Sequence, residues 1–439
     1  MSLPIGSEIT LDIEKPVAGG RMLARHDGQV VLAWGAIPGE RVRARIERVG
    51  RGVLYADTID VLTASPDRRM SDIDWRCGGN VFAHVAYERQ LRLKGEIIRE
   101  TCGRIGRLTL SSAPDVIGSP EQGYRMRARL HVRGGRIGFF REGTHDLCSA
   151  AATRQLLPET NEWIGALEQS LRRAQLAGGL AGLEIAENIR GDERACHLHL
   201  ERGVDTTAFI KMAELGSLTG LSADRTDRAA IEPLAGLPSV SDILHVRDDD
   251  SSSALRLRRN VRAFFQANRF LLEALVRHVV SLVPDGPVVD LYAGVGLFGL
   301  SLAVAGSSHV TLIEGDPVSG RDLLDNAEPF LSRVRVERRS VEEFLSESKA
   351  GVAASNLHSS DLAQATFIVD PPRTGMSKEA LNGILRSHPA HIVYVSCDTA
   401  TLARDARMLL DAGYELGSIT GIDLFPNTAH VESIATFSR

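Results

Sequence analysis

The sequence predicts a multidomain α/β protein. We expect a small N-terminal β-barrel over residues 1–63, a central α/β domain over 64–255 and a doubly wound α/β domain over 256–439. Three observations support this division. A chain of 439 residues exceeds one ordinary hydrophobic core. Short alternating runs with Gly and Pro turns fill the first sixty residues. From about residue 288, an apolar strand, a Gly-rich turn and a helix are followed by further strand and helix candidates.

Composition indicates a soluble globular protein, with 43% hydrophobic and 24% charged residues. The net charge of −5 gives no general sign of nucleic-acid binding, although a local basic patch can still bind RNA. There is no signal-like start and no run of ~20 apolar residues, so we expect no membrane association and a cytoplasmic location. The five cysteines are odd in number and scattered. We therefore expect reduced thiols.

The predicted barrel contains the strand RVRARI. Its period of two places Arg41, Arg43 and Arg45 on one face and apolar side chains on the other. In isolation, such a stripe is ordinarily a solvated outer face.

The central domain repeats this pattern in YRMRARLHV, which places Arg125, Arg127 and Arg129 on one face, and Arg141 follows nearby. Two arginine-striped strands favour contact with an RNA backbone over a merely solvated surface. A Cys-Gly-Gly turn at Cys77 suggests metal, but a single cysteine is a weak signal. We expect surface loops at 248–253 and 346–364.

The Gly-rich turn of the C-terminal domain contains Gly294, Gly296 and Gly299 in the pattern G-x-G-x-x-G, and Glu314 stands at the distance of a ribose-binding carboxylate. This pattern alone fits a dinucleotide oxidoreductase. Asp290 ends the strand before the turn, where its charge would meet the amino-acid part of S-adenosylmethionine more favourably than a pyrophosphate. A turn that needs glycine only for positive φ explains neither acid. The stretch therefore favours a methyltransferase.

Two later strands carry further candidates at their carboxyl ends. Asp370 begins a stiff Asp-Pro-Pro-Arg loop, because a double proline cannot continue a central strand. Cys397 lies between a strand and a helix, which is the rim of the ligand crevice in α/β folds. Taken alone, Cys397 is equally a nucleophile or a small buried hydrophobe.

Five motifs together resemble the RNA uridine-5-methyltransferases, the group that contains the bacterial 23S ribosomal RNA and tRNA T-loop enzymes. They are FFQAN (264–268), DLYAGVG (290–296), VDPPRTG (369–375), VYVSCDTATLARD (393–405) and LFPNTAHVES (424–433). The N-terminal stretch GRMLARHDGQVVLAWGAIPGERVRARI resembles the TRAM domain, a five-stranded barrel of RNA-modifying enzymes. The resemblance covers essentially the whole chain. Departures stand at Ala293, Leu297 and Asp398.

This resemblance implies a central RNA-binding domain, a Rossmann-like methyltransferase domain and S-adenosylmethionine as cofactor. It assigns Cys397 as nucleophile, Glu432 as general base and Asp370 as a contact to the uracil edge. The implied cofactor residues are Gln266, Asp290, Tyr292, Gly294, Gly296, Glu314 and Asp370. The expected RNA contacts are Phe264, Arg125, Arg127 and Arg141. Arg373 and His430 lie in the same motifs, and the resemblance assigns no role to them.

The chemistry agrees with these assignments. Carbon 5 of uracil is a poor nucleophile until a thiolate adds to carbon 6. With an ordinary thiol pKa of ~8.5, thiolate formation at neutral pH costs about 2 kcal/mol. A base must then remove the proton from carbon 5 before the thiol departs. The target uridine must be flipped out or unpaired.

Some members of the family hold an iron–sulfur cluster. Aligned by eye, its ligand positions fall here on Ser71, Cys77, Asn80 and Thr153, of which only one offers sulfur, so we expect no cluster and no other metal site. We expect a monomer acting on RNA, with ribosomal RNA favoured over tRNA by the TRAM-like domain and the length. The alternatives are a tRNA T-loop uridine-5-methyltransferase and a non-catalytic RNA-binding assembly factor. Intact Asp290, Asp370, Cys397 and Glu432 speak against the second alternative.

Overall fold

The structure is a computed structural model that describes residues 3–216, 218–247, 254–347 and 359–439. The predicted loop at 248–253 and residues 348–358 of the predicted loop at 346–364 lie outside the described residues. The expectation of a loop is wrong at both ends of the second segment, since Val341–Glu347 and Ser359–Gln364 are helical. The first of these helices begins at a reciprocal cap: Ser340 Oγ accepts from the Glu343 amide at 3.1 Å, and Glu343 accepts from the Ser340 amide at 3.0 Å.

The N-terminal strands form a closed barrel in the order β1-β2-β3-β5-β4. The predicted alternation is confirmed, because Val42, Ala44 and Ile46 are fully buried inside. The arginines of the same strand face outward and lie within 4 Å of Glu8, Asp12 or Asp60. Acidic partners therefore offset the positive charge of this stripe. The strands are β1 (Glu8–Pro16), β2 (Met22–His26), β3 (Gln29–Trp34), β4 (Arg41–Val49) and β5 (Val53–Thr63).

The central part is a seven-stranded sheet covered on one face by helix α2. Apolar side chains of alternate strand positions, such as Leu130 and Leu198, pack with Trp163 and Leu167 of this helix. The opposite face carries arginine, histidine and acidic side chains. The sheet order is β13-β12-β11-β10-β7-β8-β9. The strands are β7 (Arg127–Arg133), β8 (Arg136–Phe140), β9 (Leu147–Ser149), β10 (Leu180–Glu187), β11 (Arg194–Leu200), β12 (Leu218–Arg225) and β13 (Arg228–Gly236), with α2 at Pro158–Arg173.

The expectation that all cysteines are reduced is wrong for two of the five. Cys77 and Cys148 form a disulfide across 71 residues of sequence. Cys77 forms a β-bridge with Arg141, which follows β8, and Cys148 lies on β9 beside that strand. The pairing depends on this tertiary arrangement, which cysteine spacing alone does not show.

The C-terminal part is an eight-stranded sheet in the order β18-β17-β16-β19-β20-β22-β21-β6. The chain starts at β16 and moves outward to β18, then returns on the other side of β16 with β19, so the switch point of a doubly wound fold lies between β16 and β19. Its strands are β16 (Val288–Leu291), β17 (Val310–Ile313), β18 (Val334–Glu337), β19 (Thr366–Val369), β20 (His391–Ser396), β21 (Glu415–Ile422) and β22 (Glu432–Ser438). Its helices are α3 (Leu272–Ser281), α4 (Leu297–Ala305), α5 (Pro317–Ala327), α6 (Val341–Glu347), α7 (Ser359–Gln364), α8 (Lys378–Ser387) and α9 (Thr399–Asp411).

Two elements from earlier in the chain belong to this sheet. The short strand β6 (Val116–Ile117) pairs in parallel with β21. Helix α1 (Tyr87–Thr101) contributes Ile98 to the core around α9. A separate hairpin, β14 (Ser239–His245) and β15 (Ala254–Asn260), spans residue 255. The domain limits at 63 and 255 remain predictions.

Among the described residues, no helix combines the length and the apolar character needed to cross a bilayer.

Candidate active site

A cavity of about 580 Å³ opens at the carboxyl ends of β16, β19 and β20. Its walls come from both the central and the C-terminal parts of the chain. Ten of the residues proposed from sequence line it: Arg125, Arg127, Phe264, Gln266, Tyr292, Gly294, Glu314, Asp370, Cys397 and Glu432. Asp290, Gly296 and Arg141 are not among its lining residues.

The glycine turn after β16 forms one end of the cavity. Gly294 and Gly296 have φ of 58° and 101°, which is the left-handed region that glycine tolerates. A Cβ on Gly296 would lie 2.5 Å from Leu300 Cδ1, so a side chain is excluded there. The Gly294 amide donates to Glu314 Oε2 at 2.7 Å. Gly296 thus shapes the turn, while Gly294 and Glu314 face the cavity.

Asp290 lies beneath this turn, fully buried. Its Oδ2 accepts from the Gly299 amide at 2.8 Å, and its Oδ1 has no hydrogen-bond partner among the described residues. Burial raises the pKa of Asp290 to about 8, and nearby Asp370 and Glu314 contribute in the same direction. Its visible role is to brace the turn; direct contact with a cofactor remains a prediction.

Cys397 and Glu432 meet at the other end of the cavity. Ser396 pairs with Ser433 in the antiparallel β20–β22 ladder, so the next position places Cys397 opposite Glu432. Asp398 caps α9 by accepting from the amides of Ala400 and Thr401 at 3.0 and 2.8 Å. The departure from the family pattern at this position therefore keeps a helix-capping side chain beside the thiol.

Asp370 stands between the two ends, directly after β19. Its Oδ2 accepts from Gln266 Nε2 at 3.4 Å. The following Pro371 and Pro372 also line the cavity. The stiff loop thus presents a carboxyl group into the cavity, as the double proline predicts.

Burial dominates the electrostatics of these three groups. It raises the pKa of the Cys397 thiol to about 12, with further increases from Glu432 and Asp370. It raises the pKa of Asp370 to about 7 and holds that of Glu432 well above its usual range. The positive charge of Arg373 lowers the pKa of both Cys397 and Glu432. At neutral pH the ligand-free cavity therefore contains a protonated thiol.

The mouth of the cavity is basic and aromatic. Arg125 donates to Gln155 Oε1 at 2.7 Å, and its guanidinium lies 5.7 Å from the Phe425 ring centre. Arg127 pairs with Glu184 at 3.1 Å and lies 6.0 Å from the Phe264 ring centre. The Phe264 side chain is 60% exposed. An exposed ring beside a guanidinium group suits the stacking of an unpaired base.

Arg141 lies elsewhere. Its side chain pairs with Asp74 at 2.5 Å, and its backbone forms a β-bridge with Cys77 of the disulfide. Its proposed role in RNA contact stays a prediction that the cavity does not support.

Sequence reasoning missed several lining residues: Arg262, Phe265, Asp316, Ser319 and Phe425. Asp316 follows Glu314 by two positions and caps α5. The available signal was this second acid after an apolar strand and directly before Pro317, since an N-cap acid after a strand lies at the crevice.

These residues fit an adenosyl sulfonium ligand in two ways. The space beside Gly294 is open: apart from its two chain neighbours, no described residue has an atom within 4 Å of where a Cβ would lie. Glu314 and Asp316 line the wall next to it and offer acceptors for ribose hydroxyls.

Comparison with known families agrees with this geometry. Residues 238–439 match the model of the tRNA (Uracil-5-)-methyltransferase family, and residues 4–59 match the TRAM domain. The fold resembles the crystal structure of Pyrococcus abyssi tRNA (uracil-54, C5)-methyltransferase in complex with S-adenosyl-L-homocysteine. That likeness has a TM-score of 0.75 at 23% identity and covers 97% of this chain and 99% of that one.

Curated relatives match over nearly the full length. A 23S rRNA (uracil(1939)-C(5))-methyltransferase RlmD of Halomonas elongata is 30% identical, covering 94% of this chain and 86% of the relative. The protein of the same name from Pseudomonas putida is 29% identical, covering 99% and 94%. With these matches and a cavity that joins a thiol, a buried carboxyl group and a glycine turn, the chain belongs to the TRAM-containing family of RNA uracil-5-methyltransferases.

Proposed function

We propose that the protein methylates carbon 5 of one uridine in 23S ribosomal RNA through a covalent bond between Cys397 and carbon 6 of the base. The observation that carries this proposal is the placement of Cys397 opposite Glu432 at the edge of the cavity. Asp370 lies in the same cavity and can hydrogen-bond the uracil edge.

The residues divide the reaction between them. Cys397 loses its proton to solvent, its thiolate sulfur adds to carbon 6, and the ring electrons then make carbon 5 nucleophilic. Arg373 stabilises the thiolate, since its charge opposes the rise in the pKa of Cys397. Bound S-adenosylmethionine supplies the methyl group for carbon 5. The Glu432 carboxylate takes the remaining proton from carbon 5, and the carbon–sulfur bond breaks with its electrons returning to Cys397.

Two features of the site suit this sequence of steps. The high pKa of Glu432, caused by burial, makes its ionised carboxylate a stronger base than an exposed one. The high pKa of Cys397 means that the thiolate is costly in the ligand-free site. The thiolate therefore forms when RNA binding changes the charges around Cys397 so that the effect of Arg373 outweighs that of the nearby acids.

Ribosomal RNA is favoured as substrate because the two named relatives that match nearly the whole chain bear 23S rRNA names. The structurally similar Pyrococcus abyssi protein is a tRNA (uracil-54, C5)-methyltransferase, which makes tRNA the second candidate. A methyl-transfer assay with labelled S-adenosylmethionine on total RNA from cells lacking the protein separates the candidates. Label in 23S rRNA as 5-methyluridine supports the proposal, label in tRNA supports the alternative, and no label in any RNA indicates the non-catalytic assembly factor.

The covalent step is tested by two variants. Cys397→Ser should lower methyl transfer by at least roughly 1000-fold, because an alcohol is a far weaker nucleophile than a thiolate. Glu432→Gln should accumulate an RNA–protein adduct that survives a denaturing gel, and the double variant should not. Cys102→Ala, at another free cysteine of the C-terminal core, is the matched control and should keep activity. Turnover by Cys397→Ser would exclude the nucleophile assignment, and absence of adduct in Glu432→Gln would exclude the base.

A further inference from the structure

A second polar cluster lies on the open face of the central sheet, away from α2. His197 and His199 occupy alternate positions of β11, so they share a face. His199 pairs in register with Asp224 of β12, and His197 pairs with Glu184 of β10. The four side chains therefore come from three adjacent strands.

The spacing of three of these side chains fits a single ion. His197 Nε2 lies 3.3 Å from Asp224 Oδ2, and His199 Nδ1 lies 2.9 Å from Asp224 Oδ1. One ligand atom from each of the three residues lies within 4.8 Å of the others. Ligands bound at ~2.0–2.1 Å to a tetrahedral zinc ion are separated by roughly 3.3 Å. A small adjustment of side chains brings the donors to that distance.

His197 provides an independent indication of a ligand. Its side chain is 0% exposed, and its Nδ1 is hydrogen-bonded to Ser222 Oγ at 2.8 Å. Its Nε2 lies 3.3 Å from Asp224 Oδ2, an ion-pair distance that lacks the geometry of a hydrogen bond among the described residues. A buried ring nitrogen without a hydrogen bond is costly. A cation between Nε2 and the carboxylate would satisfy both groups.

The surroundings of His199 also resemble those of a metal ligand. Its Nε2 lies 3.3 Å from Glu184 Oε1, and Arg127 holds the other oxygen of Glu184 at 3.1 Å. A carboxylate on the second ring nitrogen fixes the tautomer and orientation of a metal-bound imidazole. His199 Nδ1, now 2.9 Å from Asp224 Oδ1, then faces the position of the ion.

A cavity of about 360 Å³ lies beside the cluster and is lined by His199 and Asp224. It gives an ion access from solvent and leaves room for water as a fourth ligand. We propose that His197, His199 and Asp224 bind one zinc ion, with Glu184 orienting His199. Two imidazoles favour zinc over magnesium or calcium, which prefer oxygen ligands. The sequence patterns, from which we expect no metal site, do not show that these three strands are adjacent.

The test uses the full-length protein without an affinity tag, stripped with a chelator and titrated with zinc chloride against a chromophoric competitor. We expect one equivalent bound at submicromolar concentration. Asp224→Asn and His199→Gln should each weaken binding at least about 100-fold, and Glu184→Gln about 10-fold. His131→Gln is the matched control, because His131 lines the same cavity but lies outside the cluster. It should bind zinc as the wild type does.

Cobalt chloride adds a second readout. Nitrogen and oxygen ligands give tetrahedral visible bands without the sulfur charge-transfer band that a Cys397 thiolate would add. Thermal unfolding shows whether each variant is folded. If Asp224→Asn does not fold, His199→Gln alone tests the proposal. The proposal would be overturned if the wild type bound no zinc, if Asp224→Asn and His199→Gln bound zinc as tightly as the wild type, or if a sulfur band appeared. The cluster would then be an ion-pair network.

Discussion

Three carboxyl groups meet at the methyltransferase crevice: Asp290 and Glu432 are buried, and Asp370 is partly buried. Burial raises the pKa of each above its ordinary value. Such groups cost folding free energy when they ionise, and they cluster at functional sites for that reason. Ionisation of the crevice carboxyl groups therefore lowers the folding stability, while their raised pKa values suit them to acid–base chemistry.

The cost of ionising Asp290 can be measured from the pH dependence of the unfolding free energy. The folded-state pKa of Asp290, about 8, lies above the ordinary value of 3.8 expected in an unfolded chain. The folded state therefore holds the proton more tightly, and the resulting stability is complete at low pH and is lost as pH rises from about 4 through about 8. Asp290→Asn keeps an acceptor for the Gly299 amide and removes this titration.

We expect the cofactor-free wild type to lose on the order of 3 kcal/mol more unfolding free energy than Asp290→Asn between pH 5 and 9. Urea unfolding at the two pH values measures the difference. Asp325→Asn, at an exposed acid on α5, is the control and should follow the wild type. Parallel losses in wild type and Asp290→Asn would show that Asp290 does not titrate in this range.

Helix α1 holds the loop that leads to Glu432. Lys94 and Asp423 form a fully buried ion pair, and Lys94 also donates to the Phe425 carbonyl at 3.0 Å. Gln90 donates to Asn427 Oδ1 at 2.9 Å. These contacts connect α1 to the loop between β21 and β22, which ends at Glu432.

Replacing Lys94 should therefore affect both stability and catalysis. Lys94→Met leaves Asp423 buried without its cation, which typically costs about 3–5 kcal/mol. Displacement of the loop should also lower kcat at temperatures where the variant is still folded. Urea unfolding and methyl transfer measure the two effects. Arg92→Met, on the exposed side of the same helix, should change stability by less than about 1 kcal/mol; equal effects of the two variants would exclude the bracing role.

The sequence predicts α1 but not this role. Helical periodicity identifies Ile97 and Ile98 as apolar positions, and both are buried. Lys94 shares their side of the helix, yet its partner Asp423 is 329 residues away. Periodicity reports which face is buried and carries no information about the partner.

The lack of information about distant partners also explains which features of the site could be predicted and which could not. Cys397, Asp370 and Gly294 could be placed together because parallel strands bring their carboxyl ends to one crevice. The Cys77–Cys148 disulfide and the distant position of Arg141 depend on how the segment after the barrel lies against the central sheet. Local patterns do not specify that packing. The expectation that Cys77 and Cys148 are reduced was therefore wrong, and the role of Arg141 in RNA contact stays a prediction.

The whole molecule also interlocks its parts. Helix α1 lies between the barrel core, through Leu93 and Ile97, and the C-terminal core, through Ile98. Strand β6 closes one edge of the C-terminal sheet. The methyltransferase fold is thus completed by residues that precede the central sheet.

A fragment of residues 256–439 should therefore not fold cooperatively. It lacks β6 and α1, exposes the core around α9 and leaves Asp423 without Lys94. Residues 64–439 keep both elements and are the matched comparison, which should show a single cooperative transition in far-ultraviolet circular dichroism during urea unfolding. A cooperative transition of similar midpoint in residues 256–439 would contradict the interlocked arrangement. It would show instead that the domain limit at 255 marks an independently stable unit.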